Sequence, residues 1–115
     1  MKIVIITGEE SGDELGASLI DALRNSGFNE FELFGIGGSL LLERGMTNFY
    51  HIKKISVMGI IEVIPKILQI KKIINNVTES ILELKPDIVV SIDSPDFTLR
   101  IAKKIKSRNS NIKIL

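Results

Sequence analysis

The chain has no cysteine and no tryptophan, and only one tyrosine and five phenylalanines among its 115 residues. Without cysteine it has neither a disulfide framework nor a thiol for catalysis, which suits a cytoplasmic protein. The few aromatic side chains leave little surface on which nucleic acid bases could stack. The net charge of +1 also lacks the basic excess that nucleic acid binders usually carry. We therefore expect no nucleic acid partner.

Long apolar runs, targeting signals, linkers and repeats are also missing from the sequence. The most apolar region, 57–74, is interrupted by proline, glutamine, glutamate and three lysines, so we predict no transmembrane helix. An acidic loop follows the first short apolar run almost at once, unlike the pattern of a signal peptide. A hydrophobic content of 44% and a charged content of 25% are typical of one soluble domain.

Strand-like and helical patterns alternate along the chain. Strands are predicted at about 2–7, 30–35, 49–52, 87–92 and 112–115, and helices at about 13–25, just before 45, at 59–84 with a break near Pro65, and at 97–108. This alternation predicts βαβ units and an α/β, Rossmann-like, doubly wound parallel sheet. The last strand has no helix after it to cover its apolar surface, so we expect the chain to be the front part of a longer protein.

The loop 8–13, Gly-Glu-Glu-Ser-Gly-Asp, is the most distinctive segment of the sequence. It follows the first strand, at the edge where an α/β sheet presents its loops to a ligand. Its three carboxylates are unlike a phosphate loop, and neither Gly-x-Gly-x-x-Gly nor Gly-Lys-Ser/Thr is present. A purely structural interpretation is that Ser11 or Asp13 caps the following helix, while Gly8 and Gly12 shape the turn.

A second polar cluster, Ser-Ile-Asp-Ser-Pro-Asp-Phe at 91–97, follows the most apolar predicted strand. Asp93 comes at the carboxyl end of that strand, where a carboxylate can accept a proton from a substrate hydroxyl. Pro95 shapes the turn, and Asp96 is interpreted as the cap of the next helix. The two clusters together predict Glu9, Asp13 and Asp93 around one cleft.

Four ordered blocks of the sequence together resemble bacterial lipid-A-disaccharide synthase. They are the opening signature 8–17, the second glycine loop 35–38, the membrane-side helix 56–63, and Leu-Lys-Pro-Asp at 84–87 leading to the catalytic strand and loop 92–97. The resemblance covers nearly the whole chain. Glu10 and Ser94 stand where many relatives carry alanine, and Ser39 replaces a common proline, but none of these departures touches the implied chemistry.

The resemblance implies a two-domain glycosyltransferase of the GT-B type. The enzyme transfers 2,3-diacylglucosamine from its UDP conjugate to 2,3-diacylglucosamine 1-phosphate by an inverting reaction, giving lipid A disaccharide 1-phosphate and UDP. No metal or other cofactor is implied. Residues 1–115 would form part of the N-terminal, acceptor-side, Rossmann-like domain. The C-terminal nucleotide-binding domain would be absent, so the chain alone is expected to be inactive.

The same resemblance implies roles for individual residues. Asp93 resembles the general base for the 6-hydroxyl of the acceptor, and Glu9 resembles a polar residue that lines the cleft. The other expected substrate-binding residues lie in the two glycine-containing loops: Ser11, Gly12, Asp13, Gly37 and Gly38. The implied location is cytoplasmic, peripheral at the inner membrane of a Gram-negative bacterium.

The apolar helix after residue 59 has two interpretations. Its apolar residues cover more than the roughly 100° stripe that one core face needs, and interleaved lysines are suited to anionic head groups. The first is structural: the helix lies in the core or is covered by the missing domain. The second is that the helix forms a membrane surface. Because both implied substrates are acylated lipids, the resemblance favours membrane contact through Ile61, Ile64 and Leu68.

Two functions of other classes remain open at this point. One is a nucleotide-dependent Rossmann enzyme such as a dehydrogenase, against which the missing glycine fingerprint argues. The other is a non-catalytic remnant that binds lipid or a partner protein without turnover.

Overall fold

Strands and helices alternate along the described part of the chain. The structure is a computed structural model, and it describes residues 1–8, 10–51, 66–92, 95–109 and 111–115. The strands are β1 (Lys2–Thr7), β2 (Glu32–Gly37), β3 (Thr47–His51), β4 (Ile88–Ile92) and β5 (Lys113–Ile114). The helices are α1 (Glu10–Asn25), α2 (Ser39–Glu43), α3 (Lys66–Leu84) and α4 (Pro95–Arg108).

The five strands form one parallel sheet in the order β3-β2-β1-β4-β5. β1 lies at its centre, where Ile3 pairs with Leu33 of β2 on one side and with Ile88 of β4 on the other. The chain runs outward from β1 through β2 to β3, then crosses back to place β4 on the opposite side of β1. The predicted doubly wound α/β fold is therefore confirmed. In such sheets ligands bind outside the carboxyl ends of the strands where the order reverses, which here is between β1 and β4.

Side chains of the central strand alternate between two apolar cores, one on each face of the sheet. Ile3 and Ile5 pack towards α1 and α2, whereas Val4 and Ile6 pack towards α3 and α4. The core on the α1 face contains Ile3, Ile5, Ile20, Leu33, Leu41 and Met46. The core on the α3 and α4 face contains Val4, Ile6, Ile36, Ile73, Ile74, Val77, Ile81, Val89, Ile101, Ile105 and Ile112. A parallel strand covered on both faces is a continuous apolar run, which is why β1 and β4 are recognisable in the sequence.

The structure tests the core interpretation of the long apolar helix for part of α3. Ile73 and Ile74 are buried in the core, so the core interpretation is confirmed for that part of the helix. Leu68, by contrast, has 55% of its surface exposed. The predicted segment 59–65, with Ile61, Ile64 and the expected break at Pro65, lies outside the described residues. The described helices include none that is long and apolar enough to cross a membrane.

Two helices begin earlier than the sequence indicates. α1 starts at Glu10 rather than near Asp13, so Gly12 and Asp13 lie inside its first turn and the capping of α1 by Asp13 is wrong. α4 starts at Pro95, so Asp96 belongs to the first helical turn and does not precede it as a cap. Proline is favoured at the first helical position because the N–H it lacks would have no partner there.

The second strand is displaced by two residues from its predicted position. Glu32 pairs with Lys2 in the sheet, and its N–H donates to the carbonyl oxygen of Met1 at 2.8 Å. The residues before it are used in the connection from α1, where the rings of Phe28 and Phe31 stack with centroids 5.5 Å apart. The predicted end of α1 at residue 25 is confirmed, and Gly27, two residues farther on, has a φ of +94°, which is common where a helix ends.

Candidate functional site

The loops after β1 and β2 are joined at the carboxyl edge of the sheet. Thr7, the last residue of β1, is fully buried, and its hydroxyl donates to the carbonyl oxygen of Ile36 in β2 at 3.0 Å. Gly8, which follows β1, is also buried. β4 ends beside β1 at Ile92, where Thr7 and Ile92 are paired in the sheet. The segments that follow β1, β2 and β4 in the chain therefore all begin at the carboxyl edge of the sheet.

Gly12 lets the first turn of α1 approach that edge closely. A Cβ atom at Gly12 would lie 2.9 Å from the Cβ of Thr7 and 3.4 Å from the carbonyl oxygen of Ile92. The glycine does not shape a turn, as the structural interpretation of the sequence held, because it lies inside the helix. Because glycine has no side chain, nothing separates α1 from β1 and β4 at this position. The start of α1 therefore packs directly against the point where the strand order reverses.

Asp13 connects the first loop to the second. Its carboxylate is buried and accepts backbone N–H groups from Gly38 at 2.8 Å and Leu41 at 3.2 Å through one oxygen, and from Leu40 at 3.1 Å through the other. Gly38 precedes α2 and has no side chain to cap it. The first N–H groups of a helix have no partner within the helix, so Asp13 supplies the cap from α1. These three hydrogen bonds thus stabilise the second loop and the start of α2.

The second glycine loop is also held from β3. The side-chain amide of Asn48 accepts the N–H of Gly37 at 3.0 Å and donates to the carbonyl oxygen of Gly37 at 2.9 Å. A Cβ at Gly37 would lie 2.6 Å from Leu41, 2.8 Å from Met46 and 3.3 Å from a carboxylate oxygen of Asp13. The role of Asn48 is not indicated by the sequence. A single asparagine in a weak strand has no local pattern showing that its amide pairs with the backbone eleven residues earlier.

Farther from the edge, an ion pair fixes the end of α2 to α1. Two nitrogens of the Arg44 guanidinium each lie 2.9 Å from an oxygen of Asp21. The hydrogen bond from Arg44 lowers the pKa of the Asp21 carboxyl below its usual value, and the same bond raises the pKa of Arg44. A lowered carboxyl pKa means that the pair stabilises the fold at neutral pH and loses this effect only as the pH falls through that lowered pKa.

The predicted substrate-binding residues are only partly covered by the structure. Gly12, Asp13, Gly37 and Gly38 are all buried, while Ser11 is exposed in the first turn of α1. Gly37 and Gly38 lie at the Asp13 carboxylate, whereas Gly12 packs against Thr7. Leu68 lies on α3, which packs on the other face of the sheet. The remaining predictions, Glu9, Asp93, Ile61 and Ile64, fall outside the described residues. The described part of the chain contains no group of three or more histidine, aspartate or glutamate residues placed to hold a metal.

Replacing Asp13 with alanine should lower the free energy of unfolding by about 2–4 kcal/mol, because three backbone N–H groups, of which those of Gly38 and Leu41 are buried, lose a charged acceptor. Asp13→Asn keeps one acceptor oxygen, so its free energy of unfolding should fall by about half as much. Urea denaturation followed by circular dichroism measures both. Asp21→Ala, on the exposed side of the same helix, is the matched control and should lose much less. Equal losses at the two aspartates would contradict the structural role of Asp13.

The parallel sheet, its reversal of strand order beside β1 and the helices on both of its faces define a Rossmann-like α/β domain. The family described as lipid-A-disaccharide synthetase matches residues 3–115 of this sequence. The chain belongs to that family, which confirms the resemblance carried by the four sequence blocks.

Curated relatives agree with the family assignment and are much longer than this chain. A lipid-A-disaccharide synthase of Rickettsia bellii (strain OSU 85-389) is 43% identical over 115 residues, covering 99% of this chain and 30% of the relative. Those of Alcanivorax borkumensis and Ruegeria pomeroyi are 41% and 36% identical over 106 residues, which cover 92% of this chain and 27% and 26% of the relatives. The chain thus spans about 30% of the length of the relatives it matches.

Proposed function

We propose that this chain is the acceptor-side part of a glycosyltransferase of lipid A biosynthesis. The observation that carries the proposal is the family match over residues 3–115, since relatives at 36–43% identity are named lipid-A-disaccharide synthase. The fold supports it, because the carboxyl edge beside β1 and β4 is where such a sheet binds ligands. The work of the chain is to hold the acceptor lipid at that edge.

The proposed reaction joins two acylated sugars. The 6-hydroxyl oxygen of 2,3-diacylglucosamine 1-phosphate attacks the anomeric carbon of UDP-2,3-diacylglucosamine, the bond from that carbon to UDP breaks, and the configuration inverts. The hydroxyl proton passes to the carboxylate of Asp93, and UDP leaves with the bonding electron pair. Asp93 suits this role because it directly follows β4, whose carboxyl end lies beside that of β1. We propose that the reaction needs no metal or other cofactor.

The two glycine-containing loops are proposed to shape the acceptor cleft. Glu9 and Ser11 supply polar groups. Gly12 and Gly37 let the two loops pack closely at the edge of the sheet, and Gly38 lies beside them at the Asp13 carboxylate. Asp13 contributes by holding both loops, since its carboxylate accepts three N–H groups of the second loop and α2. The UDP part of the donor is proposed to bind a second, nucleotide-binding domain, which corresponds to the portion of the relatives that this chain does not match.

A chimera tests the proposal. Residues 1–115 would replace the matching segment of the Rickettsia bellii relative, and transfer of labelled 2,3-diacylglucosamine from its UDP conjugate would be measured. The chimera should form the disaccharide 1-phosphate, whereas the 115-residue chain alone should not, because half of the cleft is missing. Turnover by the chain alone would contradict the division into two domains. A folded chimera without turnover would instead favour the alternative, a non-catalytic remnant that binds lipid or a partner protein.

We also propose that the protein is cytoplasmic and peripheral at the inner membrane of a Gram-negative bacterium, and that Ile61, Ile64 and Leu68 touch the lipid. The 55% exposure of Leu68 supports this contact. Replacing all three with serine should weaken binding to lipid vesicles and leave the melting temperature nearly unchanged. Ile74→Ser, in the core on the helix that carries Leu68, is the control and should cost about 2–5 kcal/mol. A collapse of the triple variant's melting temperature would identify the three as core residues.

A further inference from the structure

The backbone polar groups of Gly37 and Gly38, at the end of the second glycine loop, all have partners inside the protein. The N–H of Gly37 donates to the side-chain oxygen of Asn48 at 3.0 Å, and its carbonyl oxygen accepts from the side-chain nitrogen at 2.9 Å. The N–H of Gly38 donates to Asp13 at 2.8 Å, and its carbonyl oxygen accepts the N–H of Leu42 at 3.1 Å. A loop that binds phosphate keeps such N–H groups for its ligand. These two glycines instead use theirs to hold the loop in place.

Side chains from two other elements make three of these four hydrogen bonds. Asp13 reaches Gly38 from α1, and Asn48 reaches Gly37 from β3. Glycine loses more conformational freedom on folding than any other residue, and it has no side chain with which to anchor itself. Two glycines in succession at the end of a strand therefore need partners from outside to keep one conformation. Asn48 holds both polar groups of Gly37.

An irregularity in the sheet accompanies the contact of Asn48 with Gly37. The register of β2 against β3 shifts between Gly35 and Ile36, where β3 contains one extra residue, Phe49. Bulges of this kind disrupt the ladder, redirect nearby side chains and are frequent beside functional sites. Asn48 is paired with Gly35, and its amide bonds to Gly37 two residues farther on, so the side chain bridges the irregularity. An amide suits this role because it carries a donor and an acceptor side by side.

The contact between Asn48 and Gly37 lies beside the first loop, at the carboxyl edge of the sheet. The carbonyl oxygen just before Gly37 accepts the hydroxyl of Thr7, the last residue of β1. Towards α2 there is no free space, since a Cβ at Gly37 would lie 2.6 Å from Leu41 and 2.8 Å from Met46. Gly37 is therefore fixed by packing as well as by the amide of Asn48. The strand end that it forms is a neighbour of the proposed acceptor cleft.

We propose that Asn48 is a positioning residue for the acceptor lipid. It holds Gly37 in one conformation, so that this wall of the acceptor cleft is formed before the lipid binds. The inference rests on the proposed function, in which the acceptor lies at this edge of the sheet. Asn48 acts through the loop and not on the reacting atoms. Without it the two glycines become ordered only when the lipid binds, and the entropy lost in that step lowers the affinity.

Asn48→Ala should raise the KM for the acceptor on the order of tenfold in the chimera, because ordering two residues opposes binding. The kcat and the KM for the UDP-sugar donor should stay within about twofold, since the bound state and the reacting groups are unchanged. Steady-state kinetics with each substrate varied in turn gives the three values. The matched control is Asn109→Ala, which should leave all three within about twofold. Asn109 is also partly buried and accepts a backbone N–H, but it follows α4 at the opposite edge of the sheet.

Amide hydrogen exchange of the 115-residue chain tests the hold on the loop without any substrate. In Asn48→Ala the amide of Gly37 should exchange on the order of tenfold faster, because its acceptor is gone. The amide of Gly38, which Asp13 still holds, should change by less than about threefold. Asn48→Leu keeps the branched shape but makes neither hydrogen bond, so it repeats both measurements if the alanine variant unfolds.

The outcomes separate this proposal from the function on which it rests. Unchanged exchange at Gly37 would show that Asn48 does not hold the loop. Faster exchange with an unchanged KM for the acceptor would show that the loop is not part of the acceptor cleft. An equal rise in the KM for the donor, or an equal effect of Asn109→Ala, would indicate a general loss of structure. Each of these results overturns the positioning role and leaves the transfer reaction standing. A folded, unmodified chimera without turnover contradicts the proposed function itself, and the positioning role falls with it.

Discussion

Gly35→Ala should leave the chain unable to fold, the largest effect on stability that we expect from one methyl group. Gly35 lies in β2 with a φ of +148°, and a Cβ there would lie 1.8 Å from the carbonyl oxygen of Ile5 in β1. This oxygen is part of the central strand, so relieving the overlap requires β1 and β2 to separate. A domain stabilised by about 5–15 kcal/mol does not survive the loss of its central strand pairing.

The same substitution at Gly27 separates this steric effect from the strain of a positive φ. Gly27 has a φ of +94°, but no atom lies within 4 Å of the position its Cβ would take. Gly27→Ala should therefore cost only about 1 kcal/mol and remain folded. Thermal melting followed by circular dichroism compares the two variants. A cooperative melt of Gly35→Ala near that of Gly27→Ala would show that the sheet accommodates the methyl group.

Asp93→Asn should lower the turnover of the chimera on the order of 10²–10⁴-fold while leaving the KM for the acceptor nearly unchanged. The amide keeps the shape of the carboxylate but does not accept the hydroxyl proton. The expectation rests on the proposed role of Asp93 directly after β4. Steady-state kinetics with UDP-2,3-diacylglucosamine as the donor gives kcat and KM separately. Near-normal turnover would remove Asp93 from the mechanism.

Asp96→Asn is the matched control for that variant, three residues farther along the chain. Asp96 lies in the first turn of α4, where a negative charge interacts favourably with the helix dipole. Its loss should cost about 0.3–1 kcal/mol of stability and little turnover. A loss of turnover as large as that of Asp93→Asn would mean that Asp96 is the proton acceptor, or that the two carboxylates share this role.

The apolar strands of this fold are readable from the sequence, whereas close contacts between loops are not. β1 is predicted at its observed bounds because both of its faces are buried. The start of α1 is missed because glycine normally indicates a turn, and Gly12 is instead needed for close packing against Thr7. β2 is displaced because pairing with Lys2, rather than local alternation, sets its register.

The candidate site, too, is predicted in part and missed in part from the sequence. The sequence predicts that the loops after β1 and β4 share an edge, and the pairing of those strands confirms that their carboxyl ends are neighbours. It does not predict that Asp13 caps a helix 25 or more residues away, because local patterns describe only caps within the same helix. Asn48 is missed for the same reason, since its partner Gly37 lies on a neighbouring strand.

The isoleucine-rich packing on both faces of the sheet gives the protein a set of spectroscopic reporters that its aromatic residues do not. With no tryptophan and one tyrosine, intrinsic fluorescence has little to follow. Isoleucine δ-methyl groups, labelled with ¹³C, would report each core separately: Ile3, Ile5 and Ile20 on the α1 face, and Ile74, Ile101 and Ile105 on the α3 and α4 face. Titrating vesicles against such a sample would shift the second set of resonances before the first. The layered core thus allows an encounter on one side of the sheet to be read residue by residue.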